Sequence, residues 1–335
     1  MSTTKQVPVP ATPAPTPSDP EGTTARQFVV PALIVGAVIV VLAIGGLTND
    51  AFLTADNGLV IIRSAALTGI VALGATFITV SGNFFSLALG QSAVFSGVAL
   101  AVLMSHGLPL VPALIMTIII ALIVGGIQGG LVAMGANPIV TTLGAGALLA
   151  GLAGLTTGGK NIRIDSTVVE WIGNARPLGI PTQTWTFFAA IILAWWVMSK
   201  TRFGREAVVA GANRATAAAS GISVWKVTII VFVVATIAAA IVGIFGAAQF
   251  SQARTSEFST LDFDVIAAVL IGGTAIQGGR GSPWRTALGA VFIAMVQNYM
   301  LLLGWSSGVR TAITGAIILV VVVAFHLLHR AKGAK

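Results

Sequence analysis

Cysteine is absent from this chain, which excludes disulfides, thiolate nucleophiles and Cys-ligated metals and leaves the redox compartment open. Histidine is nearly absent: His106, His326 and His329 are too few and too scattered to hold a haem or a zinc ion. Charge is scarce as well. Only 8% of the 335 residues are Asp, Glu, Lys or Arg, where a soluble domain carries roughly a quarter. The G-x-S-x-G, H-E-x-x-H and P-loop motifs of hydrolases, zinc proteases and nucleotide-binding proteins are missing too. Little is left of the common enzyme chemistries.

What the chain has is apolar length. Hydrophobic residues make up 56% of it, with 39 glycines, and the mean hydropathy is +0.96. This composition defines an all-α integral membrane protein, its glycines suited to closely packed transmembrane helices. Ten apolar segments near bilayer length are expected, at about 28–47, 59–81, 86–105, 109–134, 138–156, 185–199, 225–250, 263–279, 285–304 and 309–328, with two of them broken. The Pro/Ala/Thr-rich stretch 1–26 cannot bury enough to fold and reads as a disordered tail. The transmembrane domain is then 27–330, followed by a basic tail at 331–335.

An even number of spans with both termini cytoplasmic puts Lys5, Arg26, Lys200, Arg202, Arg205, Arg214, Lys226, Arg280, Arg285, Arg330, Lys332 and Lys335 inside, against Asp19, Glu21 and Glu206. The outer side carries Arg63, Lys160, Arg163, Arg176, Arg254 and Arg310 against Asp50, Asp56, Asp165, Glu170, Glu257, Asp262 and Asp264. The two sides come to +9 and −1, which make up the formal +8. Because these cations flank apolar segments, they point to membrane orientation and lipid contact, with no nucleic-acid partner. The longest outer connection, 157–184, faces where an extracytoplasmic partner would sit and is equally readable as a plain linker.

Inside the spans no Asp, Glu or Lys stands mid-membrane, where charge costs about 2.5–3.5 kcal/mol. This argues against proton-coupled transport and ion pumping. The interruptions are uncharged: Asn83, Phe84 and Phe85 with nearby Gln91, Asn137 before Thr141 and Thr142, and Gln297 with Asn298. Non-helical backbone at that depth is tolerated where protein or a water-filled cavity satisfies it. Such residues are candidates for a translocation path, with the Phe pair as a hydrophobic constriction. The plainer reading makes them helix caps (Asn83, Asn137), core- or lipid-facing aromatics and, as Gln297 and Asn298 more often are, interhelical hydrogen-bond partners.

The cytoplasmic island 200–226 reads as two short helices. Gly204 precedes the first, Gly211 stops it, Asn213 caps the second and Ser220-Gly221 ends it. Ala210, Ala217, Ala218 and Gly221 fall at helical spacing, a row small enough for another surface to approach. Orientation of the chain accounts for the charge. It does not account for a capped helix of small residues, so the island is expected to be a docking surface.

Asp262-Phe263-Asp264-Val265-Ile266-Ala267-Ala268, with Gly272-Gly273-Thr274 and Gly278-Gly279-Arg280-Gly281, resembles the D-x-IAA-x-x-x-GGT-x-x-x-GG-x-G run of ribose/xylose-type ABC importer permeases. Thr201-Arg202-Phe203-Gly204-Arg205, Ala210-Gly211-Ala212-Asn213, Ala218, Ser220-Gly221-Ile222 and Lys226 are similar to the family's T-R-x-G-R … G-x-N-x-x-A-A-x-x-S-G-I loop, and 176–181 matches the stretch before its sixth helix. After the second helix the family shows S-G-x-D-L-S-V-G-S, whereas Ser81-Gly82-Asn83-Phe84-Phe85-Ser86 lacks the acid. The resemblance implies an ABC importer permease fold in a bacterial inner membrane, paired with a second permease copy and fed by an extracytoplasmic solute-binding protein. It implies no ATP site in this chain, ATP and Mg being held by a partner ABC ATPase seated on Arg202, Gly204, Arg205, Gly211, Asn213, Ala217, Ala218, Ser220, Gly221 and Ile222. The alternative is an autonomous facilitator or channel for a small polar solute, which needs no docking helix.

Overall fold

The computed structural model describes the backbone of residues 21–333 and side chains between 34 and 323. Most of the Pro-rich tail, residues 334–335, and the side chains of Arg26, Arg330 and Lys332 lie outside the described residues. In chain order the helices begin with α1 (Glu21–Thr48), α2 (Ala55–Val80), α3 (Leu89–Ser105), α4 (Leu110–Ala133) and α5 (Pro138–Thr157). The strand β1 (Ile162–Arg163) and helices α6 (Thr167–Asn174), α7 (Thr182–Lys200), α8 (Arg202–Ala212), α9 (Arg214–Ala219) and α10 (Val224–Gln249) follow. The chain closes with β2 (Gln252–Ala253), α11 (Leu261–Ile271), α12 (Pro283–Leu302) and α13 (Ser307–Gly333). Each apolar segment expected from the sequence carries a helix, and α1 starts earlier than expected, at Glu21.

Helices α2, α4, α5, α10 and α12 are each long and apolar enough to cross a bilayer. The chain is thus a multi-pass membrane protein. Exposed tryptophans sit at helix starts, Trp185 on α7, Trp225 on α10 and Trp284 on α12, as expected of an aromatic belt. Helix α10 is central. Gly125 and Gly129 of α4 lie so close that a Cβ on either would stand 2.8 Å from the α10 backbone at Val233 and Ile229. On another face Gly243 of α10 meets Ala93 and Gly97 of α3. Small residues four apart let helices approach to backbone contact, which replaces the hydrophobic effect as the source of packing energy in lipid.

Helix α2 packs antiparallel to α12, pinned at both ends. Thr76 and Thr286 share a hydrogen bond of 2.9 Å near one end. Near the other, Asn57 and Asn298 exchange two amide hydrogen bonds of 3.0 and 2.9 Å. The second pin lies at the end where β1 pairs antiparallel with β2, Ile162 opposite Ala253. The first lies toward α8 and α9.

Two of the described helices are too short to span a bilayer alone. Helix α3 has 17 residues and α11 has 11, about 26 and 17 Å of helix against a hydrocarbon core of about 30 Å. Residues 81–88 supply the missing reach before α3 as non-helical chain, whereas the non-helical run 272–282 turns α11 into α12 at the α8–α9 end. The sequence reading of 263–279 as one apolar segment is corrected here: helix α11 ends at Ile271, because Gly273 turns the chain into the left-handed region at φ +71°. The two short helices meet at their N-termini. Helix α3 has no side-chain cap of its own, Ala88 standing at that position. The carboxylate of Asp262 on α11 supplies it, accepting the Gly90 N–H at 2.9 Å.

Candidate functional site: the junction beneath the broken spans

Three segments distant in sequence converge at the α8–α9 end of the bundle. The end of α2 contributes Val80 and Gly82, α8 contributes Gly211, and the α11–α12 connection contributes Gly278 and Gly279. The Gly279 N–H donates to the Val80 carbonyl at 2.8 Å. A Cβ on Gly211 would stand 1.9 Å from that carbonyl oxygen, and one on Gly278 would stand 2.7 Å from the Cα of Gly82. No side chain other than hydrogen fits between these backbones. The sequence reading made Gly211 a helix stop; α8 instead continues through it to Ala212, and the glycine serves close approach.

The other residues of the polar island build the pair of helices that sits on this junction. Thr201 caps α8, its hydroxyl accepting the Gly204 N–H at 3.2 Å. Gly204 lies in the first turn, packed on the α7 carbonyls of Val197 and Met198. Arg202 pairs with Glu206 at 2.7 Å on an exposed face, and exposed Arg205 donates to the Lys200 carbonyl at 3.5 Å. Asn213 caps α9 as expected, accepting from Thr216 N–H at 3.0 Å. Ser220 terminates it, followed by Gly221 at φ +78°. The small-residue row divides. Ala210 and Ala217 are buried against this chain, with Ile222 packed beside them on the core. Ala218, Ser220 and Gly221 face outward.

Beside the junction lies an open cavity of about 310 Å³ lined by Gly82, Phe84, Val132, Gly135, Ala136, Asn137, Pro138 and Arg214. Phe84 is 45% exposed and holds φ +57°, a left-handed conformation unfavourable for an aromatic residue. Phe85 turns the other way, onto the main core. Asn137 caps α5 by accepting from Ile139 and Val140 N–H at 2.9 and 3.3 Å. Thr142 accepts the Leu87 N–H at 3.1 Å, so α5 supplies the partner that the non-helical strand 81–88 lacks. Thr141 and Gln91 are half-buried.

Asn83 is buried but caps no helix. Its side chain donates to Ser81 Oγ at 2.8 Å and accepts from Arg214, whose same Nη2 also reaches the Gly82 carbonyl at 3.4 Å. In sequence Arg214 is one of five cations in a loop. Only the fold carries it across to a residue 131 positions away.

Gln297 and Asn298 stand apart from this cavity, in interhelical hydrogen bonds: Asn298 with Asn57, and Gln297 Nε2 with Asp264 Oδ1 at 3.0 Å and Thr314 at 2.8 Å. Of the glycine-rich motif, Gly272 packs on the backbone of Thr286 and Gly281 on the Val80 side chain. Thr274 is buried, and Gly273, Gly278 and Gly279 take positive φ. The motif is a joint between α11 and α12.

Residues 57–322 match the family described as branched-chain amino acid transport system / permease component. The chain is 31% identical over 301 residues to the ribose import permease protein RbsC of Haemophilus influenzae, covering 88% of this chain and 93% of that protein. It is 33% identical over 317 residues to the probable ABC transporter permease protein YphD of Escherichia coli, covering 92% and 95%. It is 30% identical over 305 residues to the autoinducer 2 import system permease protein LsrD of Yersinia enterocolitica, covering 88% and 92%. The matched region takes in the glycine-packed bundle and the pair of short helices α8 and α9. The chain belongs to this permease-component family and is the transmembrane permease subunit of an ABC importer.

Proposed function

We propose that this subunit passes a monosaccharide-like solute across a bacterial inner membrane, with both termini and the α8–α9 pair on the cytoplasmic side. The observation that carries the reading is the outward face of α9. Ala218, Ser220 and Gly221 leave a shallow surface on a helix pair whose inner face is seated on bundle backbone. A partner ATPase, holding ATP and Mg, docks there and moves the pair as a rigid body. The solute arrives from an extracytoplasmic binding protein at the β1–β2 end and passes between this chain and a second permease copy. The ribose import permeases among the relatives point to the sugar class. Uncharged groups near the break, Asn83, Phe84, Asn137 and Thr142, border the path, and ATP rather than an ion gradient supplies the work.

The test is Ala218→Trp, which adds bulk on an exposed helical position without touching the fold. The tagged chain is purified from its native host, with mass spectrometry of what remains bound. A Walker-motif ATPase and a binding protein accompany the unsubstituted chain. Their recovery falls on the order of tenfold with Ala218→Trp, as expected for an interface core residue, while the yield of the chain itself holds. A chain that carries no ATPase and moves solute without ATP is an autonomous facilitator instead.

A further inference from the structure

We propose that Arg214 is the positioning residue through which movement of α9 reaches the translocation path, by holding the 82–84 backbone beside the cavity; this rests on the reading of α8–α9 as the ATPase seat. Arg214 is the first residue of α9. A cation there opposes the helix dipole, which favours acids at the first turn, so helix stability does not explain it. Its guanidinium turns away from α9 to the end of α2, where the dipole favours a cation, and takes two acceptors at once, Asn83 Oδ1 and the Gly82 carbonyl. Both bonds come from one nitrogen, Nη2, so a single charged donor anchors the turn at Gly82 and Asn83. A local preference broken in favour of a distant contact is what functional or strained sites show.

The residue next to that contact is Phe84, whose left-handed backbone persists only while its surroundings hold it. Asn83 is locked from its other side by Ser81. Arg214, Phe84 and Asn137 line one cavity. A shift of α9 therefore pulls on Asn83 directly and changes what restrains Phe84. The glycine contacts at Gly211 carry the load of the helix pair, and Arg214 carries its direction into the break.

Because the chain has no cysteine, a single Ala136→Cys substitution gives a clean reporter in the cavity. The full chain, assembled with its ATPase in membrane vesicles, is labelled with a membrane-impermeant maleimide with and without ATP and Mg. With Arg214 in place, ATP changes the labelling rate on the order of tenfold, the mark of a population shift between two states. With Arg214→Gln this response collapses to within about twofold while ATPase recovery is unchanged. Asn83→Ala, which removes the acceptor and leaves the arginine, gives the same collapse and decides the matter if Arg214→Gln folds poorly. A full ATP response in either variant overturns the inference, as does loss of ATPase binding in Arg214→Gln, which would make the residue part of the docking surface. If the reporter chain with Arg214 binds no ATPase and ignores ATP, the underlying reading of α8–α9 fails instead.

Discussion

Two non-helical segments that meet at the α8–α9 end, 81–88 and 272–282, answer the same physical problem in opposite ways. Backbone that leaves a helix inside a membrane exposes N–H and C=O groups that lipid cannot satisfy. In 272–282 the answer is glycine. Gly273, Gly278 and Gly279 take the positive φ values, and backbone bonds to backbone, Ala275 N–H to the Arg280 carbonyl at 2.9 Å and Gly279 N–H to Val80. In 81–88 the answer is borrowed side chains. Thr142 accepts from Leu87, Arg214 donates to Gly82 and Asn83, and beyond Gly82 a positive φ falls on Phe84. A joint closed by its own backbone is rigid. One closed by side chains from α5 and α9 stays only as long as those helices stay.

That contrast can be broken first at the rigid joint. Gly211→Val would drive a side chain into the Val80 carbonyl and the Gly279 N–H. Destabilisation of about 3 kcal/mol or more is expected, seen as loss of the monodisperse peak in size-exclusion chromatography. A normal peak would mean that these backbones can part cheaply.

At the borrowed joint the effect is smaller. Thr142→Val keeps the shape but leaves the Leu87 N–H without its acceptor, costing about 1–3 kcal/mol. Hydrogen exchange at Leu87 should speed up while Gly279 remains protected; equal change at both would show one cooperative joint. Phe84→Gly should move stability the other way, by about 1 kcal/mol, because glycine accepts φ +57° without penalty. A lowered melting temperature would show that the ring's contacts outweigh the strain.

The smallest effect concerns the lead into α11. Burial raises the Glu257 carboxyl to about 7, against the opposing pull of Arg254, which itself stacks on Phe250 at 3.8 Å. A folded-state value raised from 4.5 favours the neutral acid in the fold. Its contribution is therefore complete below about pH 4.5 and is lost as pH climbs through about 7. Glu257→Gln should flatten that part of the thermal-stability profile, read as melting temperature against pH; an unchanged profile would assign the pH dependence elsewhere.

Much of this was legible from residue order. Asn213 and Asn137 cap the helices that follow them, because capping is settled within three residues. The apolar segments were legible because bilayer thickness sets one length for all of them. The errors share a cause. Gly211 looked like a stop, Asn83 like a cap and Arg214 like one loop charge among several, since each owes its role to a partner far along the chain.

Composition, hydropathy and local caps by themselves determined a polytopic helical protein, its family motifs and a pair of short cationic helices, because those signals depend on periods and spacings within a few turns. Tertiary structure alone decided that Val80, Gly211 and Gly279 touch, that Asp262 caps α3, and that Arg214 reaches Asn83. Hydrogen bonds and backbone contacts act over about 3 Å, and only the folded bundle brings groups so distant in sequence within that range.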